Sequence, residues 1–101
     1  MNVTLSFEEQ KAIIKVSGMI TTDYSHLLAE KLDEVQSSNV NQLDLDFSTC
    51  RIICSTGIGK IVAFANQFNE KKGKIIVTDC SPSILDLFTT IKLDQILTIN
   101  L

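Results

Sequence analysis

The first twenty residues alternate between apolar and polar positions in the manner of β-strands. Apolar side chains occupy every second position over residues 3–7, and an apolar run returns over residues 12–16 after a polar stretch. Two strands joined as a hairpin fit this pattern. Gly18 then breaks the alternation, and Thr21 or Thr22 supplies a hydroxyl that can cap a first helix.

Three later segments carry apolar residues three and four positions apart, which predicts helices. The first runs through Ser38, the second begins within residues 54–59, and the third follows Ser81-Pro82. The run Lys71-Lys72-Gly73 is expected to end the second helix, with the lysines at the negative end of its dipole and the glycine in a left-handed conformation. The remaining strands are placed at residues 43–47, with a short apolar step at 52–53, and at 74–78 and 96–99.

The order of these elements is β-β-α-β-α-β-α-β. It implies an α/β fold with a mixed β-sheet and crossover α-helices packed against it. With 101 residues, 45% of them hydrophobic, the chain can bury one core, while two independent cores would be hard to fit. We therefore expect a single domain over residues 1–101.

Neither a signal peptide nor a membrane span is expected. The first seven residues are too few and too polar to form a signal peptide. No apolar run approaches the roughly 18 residues that cross a bilayer. The expected compartment is therefore the cytoplasm. Cys50, Cys54 and Cys80 form an odd set without a CxxC pair, which favours reduced thiols over disulfides or a zinc site.

The charge of the chain argues against nucleic acid as a partner. Nine basic against twelve acidic residues give a net charge of −3, and the local basic cluster is Lys71, Lys72 and Lys74. A groove that follows phosphates needs more positive charge than this.

The segment 52–59 is the place where small polar residues and glycines follow an apolar strand and open a helix. Ser55 lies near the N-cap, where its hydroxyl can satisfy a free amide, and the positive end of the helix dipole would favour a phosphate on that hydroxyl. Gly57 and Gly59 let another surface approach the backbone closely. The alternative is that Ser55 or Thr56 only caps the helix and that the glycines serve helix–sheet packing.

The run from Leu43 to Gly59 resembles the signature of the STAS family, the domain shared by sulfate transporters and anti-sigma-factor antagonists. It contains Leu-Asp-Leu-Asp-Phe-Ser and then Cys-Ser-Thr-Gly-Ile-Gly, where the family has a strand ending in Asp-Leu-Ser and then Asp-Ser-Ser/Thr-Gly-Leu-Gly. Further matches lie at Gly18, at the Gly73-Lys74 turn, and at Ser81-Pro82 followed by Leu87-Phe88. The resemblance thus extends over essentially the whole chain, in the family's order of elements.

This resemblance implies an anti-sigma-factor antagonist that works by binding and is not an enzyme. In such antagonists the Ser after the motif's Asp is phosphorylated by the partner anti-sigma factor, a GHKL-type serine kinase, and the unmodified form sequesters that partner. By position the phosphoacceptor is Ser55. No metal or cofactor is implied. The partner-binding residues are expected before the first helix and at the start of the second, namely Thr21, Asp23, Cys54, Thr56, Gly57 and Ile58.

Two positions depart from the family's pattern. Cys54 replaces the motif's acidic residue, and Thr21 replaces the acidic residue usually found three positions after the glycine of the second strand, with Asp23 two positions late. Carboxylates there could orient the hydroxyl or hold magnesium during phosphoryl transfer. The second hypothesis is therefore a member that binds without being phosphorylated, as an accessory subunit of a larger complex such as a membrane transport system.

Enzymatic interpretations fit less well. Cys54 with Lys60 is similar to a Cys-x5-Arg phosphatase loop only superficially, since lysine lacks the bidentate fork of arginine. The run Gly57-Ile58-Gly59 lacks the third glycine of a dinucleotide fingerprint, because Val62 occupies that place. His26 follows Ser25 directly, but the pair makes no catalytic triad, and we interpret His26 as an ordinary surface or boundary histidine.

Overall fold

The computed structural model describes residues 2–99, which form one five-stranded sheet and three α-helices. The α/β class and the mixed sheet expected from the sequence are confirmed. In chain order the elements are β1 (Asn2–Glu8), β2 (Lys11–Ile20), α1 (Ser25–Gln36), β3 (Gln42–Ile53), α2 (Ser55–Glu70), β4 (Lys74–Cys80), α3 (Pro82–Thr90) and β5 (Thr98–Ile99). Short 3-10 turns precede α1 (Thr22–Tyr24) and follow α3 (Leu93–Gln95).

The strands lie in the sheet in the order in which they occur in the chain. β1 and β2 are antiparallel, whereas β2, β3, β4 and β5 run parallel and are joined by crossovers. Such crossovers are right-handed, and when all of them move in the same direction along a sheet, their helices fall on the same face. The opposite face is mostly polar, and its buried Asp44 carboxylate is paired with the Lys11 ammonium at 3.2 Å.

The core lies between the apolar face of the sheet and the inner faces of the helices. Leu43, Leu45 and Phe47 of β3 are buried at alternate positions, as the period-2 pattern of a strand requires. The Phe47 ring meets Phe88 of α3 edge to face, with 5.6 Å between the ring centroids. Aromatic pairs of this geometry add about 0.5–1.5 kcal/mol beyond their area burial.

β2 and β3 are longer than the sequence pattern indicated. β3 continues through residues 48–53 as one strand, and β2 continues past Gly18. Gly18 has a φ of 88°, a backbone conformation that glycine adopts without strain. Between the pairs Gly18–Cys50 and Met19–Ile52 the register shifts, so Arg51 is an extra residue in β3. Such irregularities interrupt the alternation of apolar and polar residues, so the sequence pattern does not reveal the full strands. With them, both strands extend to the start of α2.

The two ends of α1 also differ from expectation. Thr21 caps only the 3-10 turn, without a side-chain hydrogen bond, and α1 itself begins at Ser25. The Ser25 hydroxyl donates to the Thr22 carbonyl at 3.0 Å, which ties the turn to the helix. α1 ends at Gln36 rather than Ser38, whose hydroxyl donates back to the Val35 carbonyl at 2.6 Å.

The end of α2 corrects the expected role of Gly73. Lys72, with φ 62°, is the left-handed residue, and Gly73 is not. The Gly73 N–H donates to the Phe68 carbonyl at 2.9 Å and the Lys72 N–H to the Asn69 carbonyl at 3.0 Å, which is a Schellman motif. Gly73 is required for space, since a Cβ there would lie 2.4 Å from the Phe68 ring.

We expect opposite effects from substitutions at these two neighbours. Lys72→Gly removes a left-handed non-glycine residue and should raise the free energy of unfolding by about 0.5–1 kcal/mol. Gly73→Ala forces its Cβ against Phe68 and should lower it by about 1–3 kcal/mol. Urea titration followed by circular dichroism measures both. Equal effects would show that the α2 terminus differs from this geometry.

No helix within residues 2–99 combines the length and the apolar character needed to cross a bilayer.

Candidate functional site

The site predicted at the start of α2 lies where β2 and β3 end side by side. Ile20 and Ile53 are paired in the parallel ladder, and the Cys54 N–H donates to the Ile20 carbonyl at 2.8 Å. This bond joins the end of β2 to the residue before α2. The segment 21–24 and the first turn of α2 are therefore held on one rigid edge of the sheet.

Gly57 and Gly59 have different roles in the first turns of α2. Gly57 is buried, and a Cβ there would lie 2.9 Å from Cγ2 of Ile20 and 3.2 Å from Cγ1 of Ile53. Gly59 is exposed, and a Cβ there would meet nothing within 4 Å. Gly57 thus lets α2 pack closely on the ends of both strands.

Cys54 is the N-cap of α2, whereas the sequence predicts Ser55 or Thr56 at that position. Its Sγ accepts a hydrogen bond from the Gly57 N–H at 3.4 Å, because the extended backbone of Cys54 turns the thiol back over the first turn. This backbone hydrogen bond lowers the pKa of the Cys54 thiol below its usual value, and a hydrogen bond from the Thr22 side chain adds to the effect. Because Cys54 supplies the cap, the hydroxyls of Ser55 and Thr56 are not needed for it.

The three thiols should differ in their reaction with iodoacetamide. Hydrogen bonding favours the Cys54 thiolate, whereas burial raises the pKa of Cys50 and of Cys80. The thiolate is the nucleophile, so Cys54 should be alkylated at lower pH than the other two. Mass spectrometry of peptides from the folded protein, alkylated across a pH series, measures each midpoint. A Cys54 midpoint at or above those of Cys50 and Cys80 would contradict the capping bond.

Ser55 is the first residue of α2, and its side chain is exposed. Thr56 beside it is also exposed, whereas Ile58 is half-buried and its N–H donates to the Cys54 carbonyl at 3.0 Å. Within residues 2–99 the Ser55 hydroxyl makes no hydrogen bond to the protein. The hydroxyl is therefore free to react or to contact another molecule at the positive end of the α2 dipole.

The predicted site residues in the segment before α1 differ in their exposure to solvent. Thr21 is half-buried and its carbonyl accepts from the Tyr24 N–H at 3.1 Å, while Asp23 is exposed in the 3-10 turn. Thr22 was not predicted as a site residue, yet its side chain contributes to the lowered pKa of the Cys54 thiol. In the described part of the chain, His, Cys, Asp and Glu side chains form no group of three that could hold a metal ion.

Three half-exposed apolar side chains near the site are not predicted from the sequence. Met19 and Ile52 are cross-strand neighbours, and Tyr24 lies in the 3-10 turn. Their exposed fractions are 47%, 54% and 49%. Met19 and Ile52 alternate with the buried Ile20 and Ile53, so they point away from α2, and no periodic signal in the sequence distinguishes them from core residues.

The family model described as "Mlab, STAS domain" matches residues 3–98. The resemblance to the STAS family is therefore confirmed over nearly the whole chain.

Solved structures with the same fold include anti-sigma-factor antagonists. A candidate antagonist from Thermotoga maritima has a TM-score of 0.87 at 18% identity, over 97% of this chain and 85% of that one. An antagonist from Mycobacterium paratuberculosis has a TM-score of 0.84 at 16% identity, over 98% and 84%. The phosphorylated Bacillus cell fate determinant SpoIIAA has a TM-score of 0.79 at 15% identity, over 99% and 92%. At these identities the likeness shows a shared fold.

Proposed function

Since this chain belongs to the STAS domain family, we propose that it is an anti-sigma-factor antagonist switched by phosphorylation of Ser55. The observation that carries the proposal is the exposed Ser55 hydroxyl at the first position of α2, held on the rigid edge formed by β2 and β3. The partner is an anti-sigma factor with serine kinase activity of the GHKL type. The protein acts in the cytoplasm by binding and not by catalysis, so ATP and magnesium belong to the kinase.

The chemistry of the helix start supports a switch at this hydroxyl. A phosphate adds about −1.5 to −2 charges at pH 7. The positive end of the α2 dipole tolerates that charge, so modification leaves the fold intact. A partner packed on the same surface has to accommodate both the charge and the bulk, and it is released when it cannot.

Some of the predicted partner-binding residues can contact a partner directly, and the others hold the start of α2 and the preceding turn in position. The exposed Asp23 and Thr56 can touch a partner directly, and half-buried Ile58 offers an apolar contact beside them. Cys54 and Gly57 set the position of the helix start through the cap and the close packing. Thr21 fixes the turn that carries Asp23.

Phosphopeptide mapping tests the modification. The purified chain is incubated with each GHKL-type anti-sigma kinase of the source organism, ATP and magnesium, and then digested for mass spectrometry. We expect phosphate on the peptide containing Ser55, its absence in Ser55→Ala, and its persistence in the matched variant Thr56→Ala. Phosphate on Thr56 instead, or on neither residue with any of the kinases, would contradict the switch.

A second candidate is binding without phosphorylation, as an accessory subunit of a larger complex such as a membrane transport system. The observation that favours it is the pair Cys54 and Thr21, which puts a thiol and a hydroxyl where the family motif has carboxylates. Co-purification separates the two functions: a transport ATPase recovered with an unmodified chain supports the second, and a kinase that modifies Ser55 supports the first.

A further inference from the structure

The outer edge of β1 is a second place where this chain can bind protein. β1 pairs with β2 over seven consecutive residues without a register shift, and no strand within residues 2–99 pairs with its other side. Natural edge strands are usually protected by Pro, Lys, a bulge or short length. β1 contains no Pro, no Lys and no bulge, and its one charged residue, Glu8, lies at its end. At the opposite edge, β5 covers Thr98–Ile99 within residues 2–99.

The hairpin decides which backbone groups face that free edge. Glu8 pairs with Lys11 across the two-residue turn formed by Glu9 and Gln10. Such a turn closes on a hydrogen-bonded pair, and hydrogen-bonded and non-hydrogen-bonded pairs then alternate along the hairpin. The N–H and C=O groups of Val3, Leu5 and Phe7 therefore point outward from the sheet.

The sequence of β1 is symmetrical about its centre in chemical character. Residues 2–8 read polar, apolar, polar, apolar, polar, apolar, polar, with Leu5 in the middle. We propose that the free edge of β1 pairs with the same strand of a second copy of this chain, antiparallel and about a two-fold axis at Leu5. This places Val3 opposite Phe7, Thr4 opposite Ser6, and Asn2 opposite Glu8 across the axis.

Each of these cross-strand pairs is favourable or neutral. Phe7 is 51% exposed although it lies on the apolar face, and Val3 of the second copy covers it with a β-branched side chain. The outward backbone groups supply about six hydrogen bonds between the strands. Glu8, the charged residue of β1, meets Asn2 and not a like charge.

The expected dimer is weak. A seven-residue edge buries less than the roughly 1,200 Å² of a standard interface, so we expect a dissociation constant on the order of 100 μM. The same surface patch serves both copies, so the contact closes into a dimer and does not propagate. This interface involves neither Ser55 nor the start of α2, and it stands independently of the proposed function.

Charged residues introduced on both sides of the two-fold axis test the proposed pairing of the two β1 strands. Thr4 and Ser6 lie on the polar face of the sheet, are exposed, and face each other only in the dimer. The variant Thr4→Glu/Ser6→Glu places like charges opposite each other twice, and Thr4→Glu/Ser6→Lys places opposite charges there. A control for net charge, Asn66→Glu/Gln95→Glu, adds two acids at exposed positions away from β1.

Sedimentation equilibrium from about 20 μM to about 1 mM spans the expected constant. We expect the wild-type mass to rise above the monomer's 11.2 kDa toward twice that value. The Glu/Glu variant should remain monomeric, the Glu/Lys variant should associate at least as well as wild type, and the control should follow wild type. A wild-type mass of 11.2 kDa throughout would overturn the proposal. So would the same change in both β1 variants, because it would exclude this register.

Discussion

Ser55→Asp weakens binding of the anti-sigma partner by about 10- to 100-fold, or ~1.4–2.7 kcal/mol, whereas Ser55→Ala leaves the affinity near that of the unmodified protein. The exposed hydroxyl makes no hydrogen bond within residues 2–99, so alanine removes nothing that the fold needs. Aspartate places a carboxylate in the contact surface, and a charge desolvated without a partner opposes binding. Isothermal titration calorimetry with the purified partner measures both affinities.

The chain offers a matched control for this charge change. Ser83 is also an exposed serine in the first turn of a helix, but it belongs to α3. Ser83→Asp should leave the partner's affinity unchanged. Aspartate at either helix start interacts favourably with the dipole, by about 0.3–1 kcal/mol, so unfolding does not explain a loss of binding. Equal affinities for Ser55→Asp and Ser55→Ala would contradict the switch.

Gly57→Ala should lower the free energy of unfolding by about 1–2 kcal/mol, although alanine is the better helix former. Its Cβ would come within 2.9 Å of Ile20 and 3.2 Å of Ile53, so the start of α2 has to move away from both strands. The displacement strains the hydrogen bond between Cys54 and Ile20, which holds the site to the sheet. We therefore expect weaker partner binding together with the loss of stability.

Gly59→Ala is the matched substitution, two residues along the same helix. A Cβ there meets nothing within 4 Å, so the gain in helix propensity is unopposed and should stabilise the protein by about 0.5–1 kcal/mol. Urea denaturation of both variants gives the comparison. If Gly57→Ala proved as stable as Gly59→Ala, α2 would not be packed on the strand ends as described.

The general architecture could be predicted because each element carries its own local signal. Alternating apolar residues marked β1, and Ser81 with Pro82 marked the start of α3, where the Ser81 hydroxyl does accept from the Ile84 N–H at 3.3 Å. The position of the candidate site at the start of α2 also followed from sequence, because small residues and glycines gather at that junction. These features depend on neighbours along the chain.

The details that could not be predicted depend on contacts between distant residues. Cys54 rather than Ser55 caps α2, because the Ile20 carbonyl holds the Cys54 backbone in position. Gly73 is required by the Phe68 ring, so its presence did not mark the left-handed residue. The full length of β3 is set by pairing with β2 through two register shifts, which interrupt the alternation of apolar and polar residues that predicts a strand from sequence.

Hydrogen–deuterium exchange of the chain with and without its partner shows whether the partner binds the start of α2. If the partner binds the helix start, exchange should slow in peptides covering residues 21–24 and 54–58, and phosphorylation of Ser55 should abolish the protection. Peptides distant from the start of α2, such as those covering residues 74–79 of β4, should be unaffected. Protection confined to other parts of the molecule, with 54–58 unchanged, would contradict partner binding at the start of α2.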